Sequence, residues 1–210
     1  PTLIARLQMP AADTSDQHWL KPDQVEAMRD VARDGRHPER DDAIVVLLYD
    51  TGLRRGEAAL VDRDMVDLDE EQLRIPTSIQ KDYPNDQVPP PATFQLDRDA
   101  SLRTVATVQE YLEVRQNDTA ALINSQKSDR MTGKGINDVV QRTARRAGVR
   151  PYCFSGRGDP EDVSAHTLRH SVAWRMLRAE ETNTLYDVRN RLRHASILTT
   201  ERLYDHFVTI

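Results

Sequence analysis

The sequence predicts a mainly α fold with one small three-stranded antiparallel β-sheet, of the size of one large domain. Three observations lead there. Most of the 210-residue chain carries apolar residues at helical spacing, bounded by Pro, Thr and Gly. One stretch, 65–90, abandons that spacing for short apolar segments between the turn clusters DLDEE and DYPND. No repeat or low-complexity tract interrupts either pattern.

The elements follow in order. Residues 1–18 read as an irregular lead-in with Pro10, Asp13 and Ser15, and residues 1–20 as a linker before a domain over 21–210. Pro22 suits the first turn of a helix carrying Val25, Met28 and Val31 and closing near Gly35. A second helix, about 39–50, holds the run AIVVLLY and is expected at the centre of the core, with Gly52 as a left-handed C-cap. Leu53 to Leu60 reads as a short helix carrying Arg54 and Glu57. The sheet is expected within 65–90, with SIQ as one strand, and residues 98–115 as helix. ALIN at 121–124 reads as extended. Thr132 is expected to cap a helix stopped by Gly148. Residues 149–163, with Pro151, Gly156, Gly158 and Pro160, read as a loop. A helix from Ser164 or Ala165 to about Ala179 follows, then shorter ones near 184–192 and 196–205.

Composition narrows the function. No apolar run approaches twenty residues and no signal pattern opens the chain, so a soluble, cytoplasmic protein is expected with no membrane partner. The chain begins with Pro1 and so reads as a fragment. One cysteine, Cys153, excludes an internal disulfide and argues against a cysteine zinc site. The net charge of -5 argues against a polyanion partner until its distribution is read. Residues 1–100 carry 12 basic and 21 acidic side chains, whereas 141–210 carry 12 and 8. A positive face on an acidic body can bind nucleic acid. With 4 Lys against 25 Arg, and 23 Asp against 11 Glu, the composition suits high salt or a GC-rich genome, and a halophilic archaeon or its virus is one reading of it.

Arg54, Lys81, His166, Arg169, His194 and Tyr204 carry the candidate chemistry. Breaking a phosphodiester requires neutralising charge on its non-bridging oxygens. The planar fork of Arg does this with two parallel hydrogen bonds and stays charged at any working pH. Glu57 lies three residues after Arg54 and can brace it. HTLRH sets His166, Arg169 and His170 on one helical face. A helical H-x-x-x-H can be a metal pair, but the Glu of H-E-x-x-H is absent and an Arg in the stripe would repel a cation. A core-packed His170 beside a functional His166 is preferred. Tyr204 is the candidate nucleophile; its phenol, with a pKa near ~10, needs a base and a positive environment to attack.

Together these segments resemble the tyrosine recombinases, or phage integrases, over roughly residues 20–207. TGLRRGE resembles the family's first arginine motif, with Arg54 and its companion Glu57. QKDYPNDQVP resembles its β-hairpin lysine motif, with Lys81 eight residues before Pro89. HTLRH resembles the second motif, giving His166 and Arg169. LRHASILTT resembles the motif of His194, after which Tyr204 matches the nucleophile. Two departures stand out. His194 and Tyr204 are ten residues apart, one more than the commonest spacing, and Arg193 stands where a Gly is usual.

The resemblance implies the catalytic-domain fold of DNA breaking and rejoining enzymes, with the family's separate N-terminal DNA-binding domain absent from this chain. It implies site-specific recombination or integration on double-stranded DNA, with self-association as a tetramer on DNA and residence on the nucleoid. No metal, nucleotide or other cofactor is implied. Tyr204 would form a 3′-phosphotyrosyl link, Arg54 and Arg169 would clamp the phosphate, and His194 would donate to it. Lys81 would protonate the 5′ leaving oxygen and His166 would handle the tyrosine's proton. Lys81 is expected on a mobile hairpin turn, brought into place by DNA. The rival readings are a type IB topoisomerase and a relative that binds DNA without cutting it.

Overall fold

In the computed structural model, the described residues are 17–98, 101–180 and 182–208. Most of the expected lead-in, with Pro10, Asp13 and Ser15, lies outside them.

Helix α1 (Pro22–Arg33) starts on a proline whose missing donor costs nothing at that position. It buries Val25, Met28 and Ala32, while Val31 is only half-buried. Helix α2 (Pro38–Thr51) is central: every residue from Asp41 to Thr51 is buried, and α1 packs on it. Gly52 closes α2 in the left-handed region (φ 67), its N–H donating to the Leu48 carbonyl at 2.9 Å. The short helix α3 is Arg55–Leu60. Arg54 is therefore the residue that enters α3 and not, as expected, one inside it.

The sheet is antiparallel in the order β1 (Val66–Asp67), β2 (Gln72–Ile75), β3 (Ala92–Gln95). Leu73, Ile75 and Phe94 form its buried face. The third strand lies beyond the predicted 65–90, and SIQ belongs to a 3₁₀ turn, Thr77–Ile79, and not to a strand. The cause is proline. Pro76 ends β2, and Pro89, Pro90 and Pro91 offer no N–H, so the ladder resumes only at Ala92.

Helix α4 (Thr104–Val114) starts later than expected. Asp97 accepts from the backbone N–H groups of Arg103 and Val105, at 2.8 and 3.0 Å, and so ties down the turn before it. Helix α5 (Gly133–Ala147) runs as predicted, from a Thr132 cap (Gly135 N–H to Oγ1, 3.1 Å) to Gly148 at φ 60. Both α4 and α5 pack on α2. The predicted loop 149–163 contains a small hairpin, β4 (Tyr152–Cys153) with β5 (Gly156–Arg157). Its inner strand bonds reciprocally to Trp19.

Helix α6 (Ala165–Trp174) is capped by Ser164 and packs against α2. It continues as a π-helical turn, Arg175–Ala179. Helices α7 (Leu185–Leu192) and α8 (Ile197–Tyr204) follow, then a 3₁₀ turn, Asp205–Phe207. These last elements gather around a second apolar cluster of Val172, Ala173, Val188, Leu192, Tyr204 and Phe207. Trp19 packs edge-on against Phe207, with ring centroids 4.9 Å apart, so the segment before α1 secures the turn after Tyr204. The overall class, mainly helical with small antiparallel sheets, is as the sequence predicts.

Candidate active site

The site forms where α2, α6 and α7 end or cross. Arg169, on the inner face of α6, is only 2% exposed. Its guanidinium donates to the carbonyls of Gly52, at the end of α2, and Leu192, the last residue of α7. Two helix C-termini thus converge on one cation, which their dipoles and unpaired carbonyls stabilise. Burial, then the neighbouring Arg54, lowers the Arg169 pKa, but a guanidinium stays charged in any working range.

Arg54 is half-buried at the entry to α3. Glu57, on the first turn of α3, accepts from its backbone N–H and from Nη1, both at 2.9 Å. Glu57 is 2% exposed and has two more donors: Nη2 of Arg193 at 2.6 Å and the Lys81 N–H at 3.3 Å. Burial alone would raise the Glu57 pKa. Arg193 and Arg54 outweigh it and hold the carboxyl below its ordinary value.

Tyr204, the last residue of α8, is 1% exposed. Its hydroxyl lies 2.8 Å from Nδ1 of His170, and its ring stacks on those of His194 and Phe207. Burial raises the phenol's pKa, and Arg169 and Arg54 offset only part of that. His170 is also buried; desolvation, followed by the nearby His166 and Arg169, lowers its pKa far enough to keep the ring neutral. A neutral imidazole can accept the phenolic proton. His194 Nδ1 pairs with Thr200 Oγ1 on α8 at 2.9 Å, leaving Nε2 for another partner. Burial, then Arg169 and Arg54, pushes the His194 pKa down to about 3.

His166 stands at the surface of the same α6 face, its ring T-shaped on His170 with centroids 4.4 Å apart. It is an exposed residue, yet local desolvation and the charges of Arg169 and Arg54 lower its pKa. Lys81 is exposed, and its backbone follows the buried Gln80. It lies in the stretch that joins β2 to β3, where its backbone N–H donates to Glu57 at 3.3 Å.

The structure thus gathers Arg54, Glu57, Arg169, His194 and Tyr204 with His166 at the rim, and the Lys81 backbone reaches the same carboxylate. Three residues carry contacts that the sequence reasoning did not assign. His170 is buried, as expected of a core residue, and it is also the hydrogen-bond partner of the phenol. Its position four residues after His166 was the available signal. Arg193 was noted only as a departure from Gly. Thr200 belongs to the LTT that follows His194, where no pattern marks it as that residue's partner. Among the described residues no cluster of His, Cys, Asp and Glu could hold a metal ion.

Cations thus surround a phenol with one buried carboxylate to brace them. That is a site for an anion, built on a fold shared with solved site-specific recombinases. The crystal structure of XerA recombinase superposes with a TM-score of 0.70 at 22% identity, over 91% of this chain and 60% of that one. XerH recombinase bound to its difH substrate gives a TM-score of 0.66 at 20% identity, over 94% and 52%. The chain belongs to the phage integrase family, which it matches over residues 18–209. It is 32% identical to tyrosine recombinase XerC of Bifidobacterium longum over 185 residues, 85% of this chain and 46% of the relative. It is 28% identical to the XerC of Roseiflexus castenholzii over 211 residues, 96% and 59%. The chain thus spans about half the length of the curated relatives it matches.

Proposed function

We propose that this chain is the catalytic domain, over residues 21–210, of a site-specific recombinase or integrase acting on double-stranded DNA. The observation that carries the reading is the phenol of Tyr204 among Arg54, Arg169 and His194, with Glu57 bracing the first arginine. In the proposed reaction Arg54 and Arg169 bind the non-bridging oxygens and His194 donates a further hydrogen bond. The Tyr204 oxygen attacks phosphorus, forming a 3′-phosphotyrosyl bond as the bond to the 5′ oxygen breaks. Lys81 gives that oxygen its proton. His166 takes the phenolic proton, at the rim of the face where its ring meets that of His170. The bond energy stays in the ester, so rejoining needs no nucleotide.

The phenol is buried and bonded to His170, so α8 must shift for the oxygen to reach a phosphate. Self-association as a tetramer on DNA belongs to the same reading. This reading assigns to a second copy the mixed groove of about 650 Å³ beside α7 and α8, lined by Leu185, Tyr186, Ile197 and Val208 with Arg178 and Glu201. Residence on the nucleoid follows from the DNA partner. No helix among the described residues is long and apolar enough to cross a membrane. The Lys-poor, Asp-rich composition supports a high-salt host, such as a halophilic archaeon or its virus.

The test is a DNA duplex nicked beside the cleavage point, which loses its short 5′-hydroxyl fragment and traps the covalent complex. A protein–DNA adduct that resists denaturation is expected. Binding without any adduct would leave the non-cutting reading. Relaxation of supercoiled DNA without exchange between two sites would favour the type IB topoisomerase.

A further inference from the structure

Arg193 closes α7 in the left-handed conformation (φ 53, ψ 51), where glycine sits without strain and a side chain does not. Its side chain turns inward and is 7% exposed as a residue. Nη2 donates to Glu57 Oε2 at 2.6 Å and Nη1 to Gln80 Oε1 at 3.0 Å. The guanidinium also lies 5.2 Å from the ring centroid of Phe94 on β3. Nε has no partner among the described residues.

Each group it holds is itself a junction. Gln80 donates from Nε2 to the carbonyl of Pro90 at 2.7 Å, and more weakly to that of Ile75 at 3.3 Å, so it pins both ends of the long excursion between β2 and β3. Glu57 takes the backbone N–H of the next residue, Lys81, on Oε1. The Lys81 stretch is therefore gripped from both sides. One grip is the Gln80 side chain, held by Arg193. The other is the Glu57 carboxylate, oriented by Arg193 and Arg54 together.

We propose that Arg193 is a positioning residue for Lys81: by bridging Gln80 and Glu57 it fixes the segment that carries the leaving-group acid before DNA binds. This rests on the reading of Lys81 as that acid. Direct phosphate binding by Arg193 is disfavoured, because both terminal nitrogens are already engaged and the residue is buried. The αL conformation is part of the device. It turns the chain so that Arg193 points at Glu57 while His194, the next residue, reaches Thr200 on the other side.

The experiment compares two substrates of one sequence, one ordinary and one with sulfur in place of the bridging 5′ oxygen. A thiolate leaves without a proton, so the sulfur substrate needs no acid. Arg193→Gly and Arg193→Asn both accept the left-handed region, and thermal melting checks that each folds. Each should cleave ordinary DNA about 10- to 100-fold more slowly in a single turnover, as expected for a displaced catalytic group. Each should return to near wild-type rate on the sulfur substrate, with DNA affinity unchanged. Gln80→Ala, which leaves the Arg193–Glu57 pair in place, should give the same sulfur-selective pattern and stands in if neither Arg193 variant folds.

Lys81→Ala is run alongside. If sulfur rescues Lys81→Ala but not the Arg193 variants, the positioning role is wrong and the acid stands. Failure to rescue Lys81→Ala removes the acid assignment and this proposal with it. Wild-type cleavage of ordinary DNA by Arg193→Gly would equally overturn it.

Discussion

At the scale of the residue, the site depends on how each charge is held. Arg54 and Arg169 face different constraints: one is half-exposed and braced by a carboxylate, the other buried against two helix ends. Replacing either by Lys keeps the charge and loses the fork. Arg54→Lys should slow single-turnover cleavage by roughly 10²–10³, the usual cost of one transition-state contact. Arg169→Lys should do the same and also lower the melting temperature, since an ammonium cannot span the carbonyls of Gly52 and Leu192. Wild-type cleavage by Arg54→Lys would show that only its charge matters.

The buried imidazoles give a second expectation. His170 and His194 are held neutral, with pKa values below the ordinary value of about 6.5. Below that value the unfolded chain binds protons that the folded one does not, so stability falls as pH falls. The contribution is whole above about pH 6.5 and is lost toward about 3 for His194. Glu57, also lowered, adds a loss of the same sign at the acid end. Urea unfolding should therefore show a lower midpoint at pH 5 than at pH 7.5, and His194→Asn should flatten that difference. An unchanged slope in the variant would mean that His194 is not neutral in the folded state.

At the scale of the element, the ends of helices place the chemistry. Gly52 closes α2, lends its carbonyl to Arg169 and lets Arg54 follow two residues later. A Cβ there would lie 2.5 Å from Leu192 Cδ2, in a left-handed backbone. Gly148 has the same backbone hand at the end of α5 with open space around it. Gly148→Ala should cost about 1 kcal/mol and leave cleavage alone. Gly52→Ala should cost about 2–4 kcal/mol from strain and overpacking together, and should slow cleavage through Arg169. Equal effects of the two substitutions on cleavage would argue against this coupling.

The same scale explains what the sequence makes legible. The helices of the core were readable because Pro22, Gly52, Thr132 and Gly148 mark their ends chemically and AIVVLLY marks the centre. The third strand begins beyond the local apolar pattern, which continues to Val88, because three prolines forbid pairing there. The start of α4 was hidden because Asp97, and not a neighbour in sequence, caps the turn before it. Of the candidate site, the residues that the motifs space are legible in the sequence, and the fold brings Arg54, Glu57, Arg169, His194 and Tyr204 together. The contacts of His170, Arg193 and Thr200 join segments far apart or faces of different helices, and no one-dimensional pattern specifies such partners. The hairpin at 152–157 depends on Trp19 in the same way, since two-residue strands are not stable alone.

At the scale of the whole molecule, an acidic body carries a basic site. The clustering of positive charge in the last third of the chain predicts DNA binding that weakens steeply with salt, because phosphate contacts release counterions. The cations of the site are built in, so cleavage should survive EDTA; strict dependence on a divalent ion would point to a nuclease-like mechanism.

The central claim is that Tyr204 makes the covalent bond, and it has a direct measurement. The adduct trapped on nicked DNA is digested with protease, and the peptide that retains a nucleotide is sequenced by mass spectrometry. Attachment is expected at Tyr204, with no adduct from Tyr204→Phe although that variant still folds and binds DNA. Attachment at another residue, such as Tyr186 or Tyr152, or adduct formation by Tyr204→Phe, would contradict it.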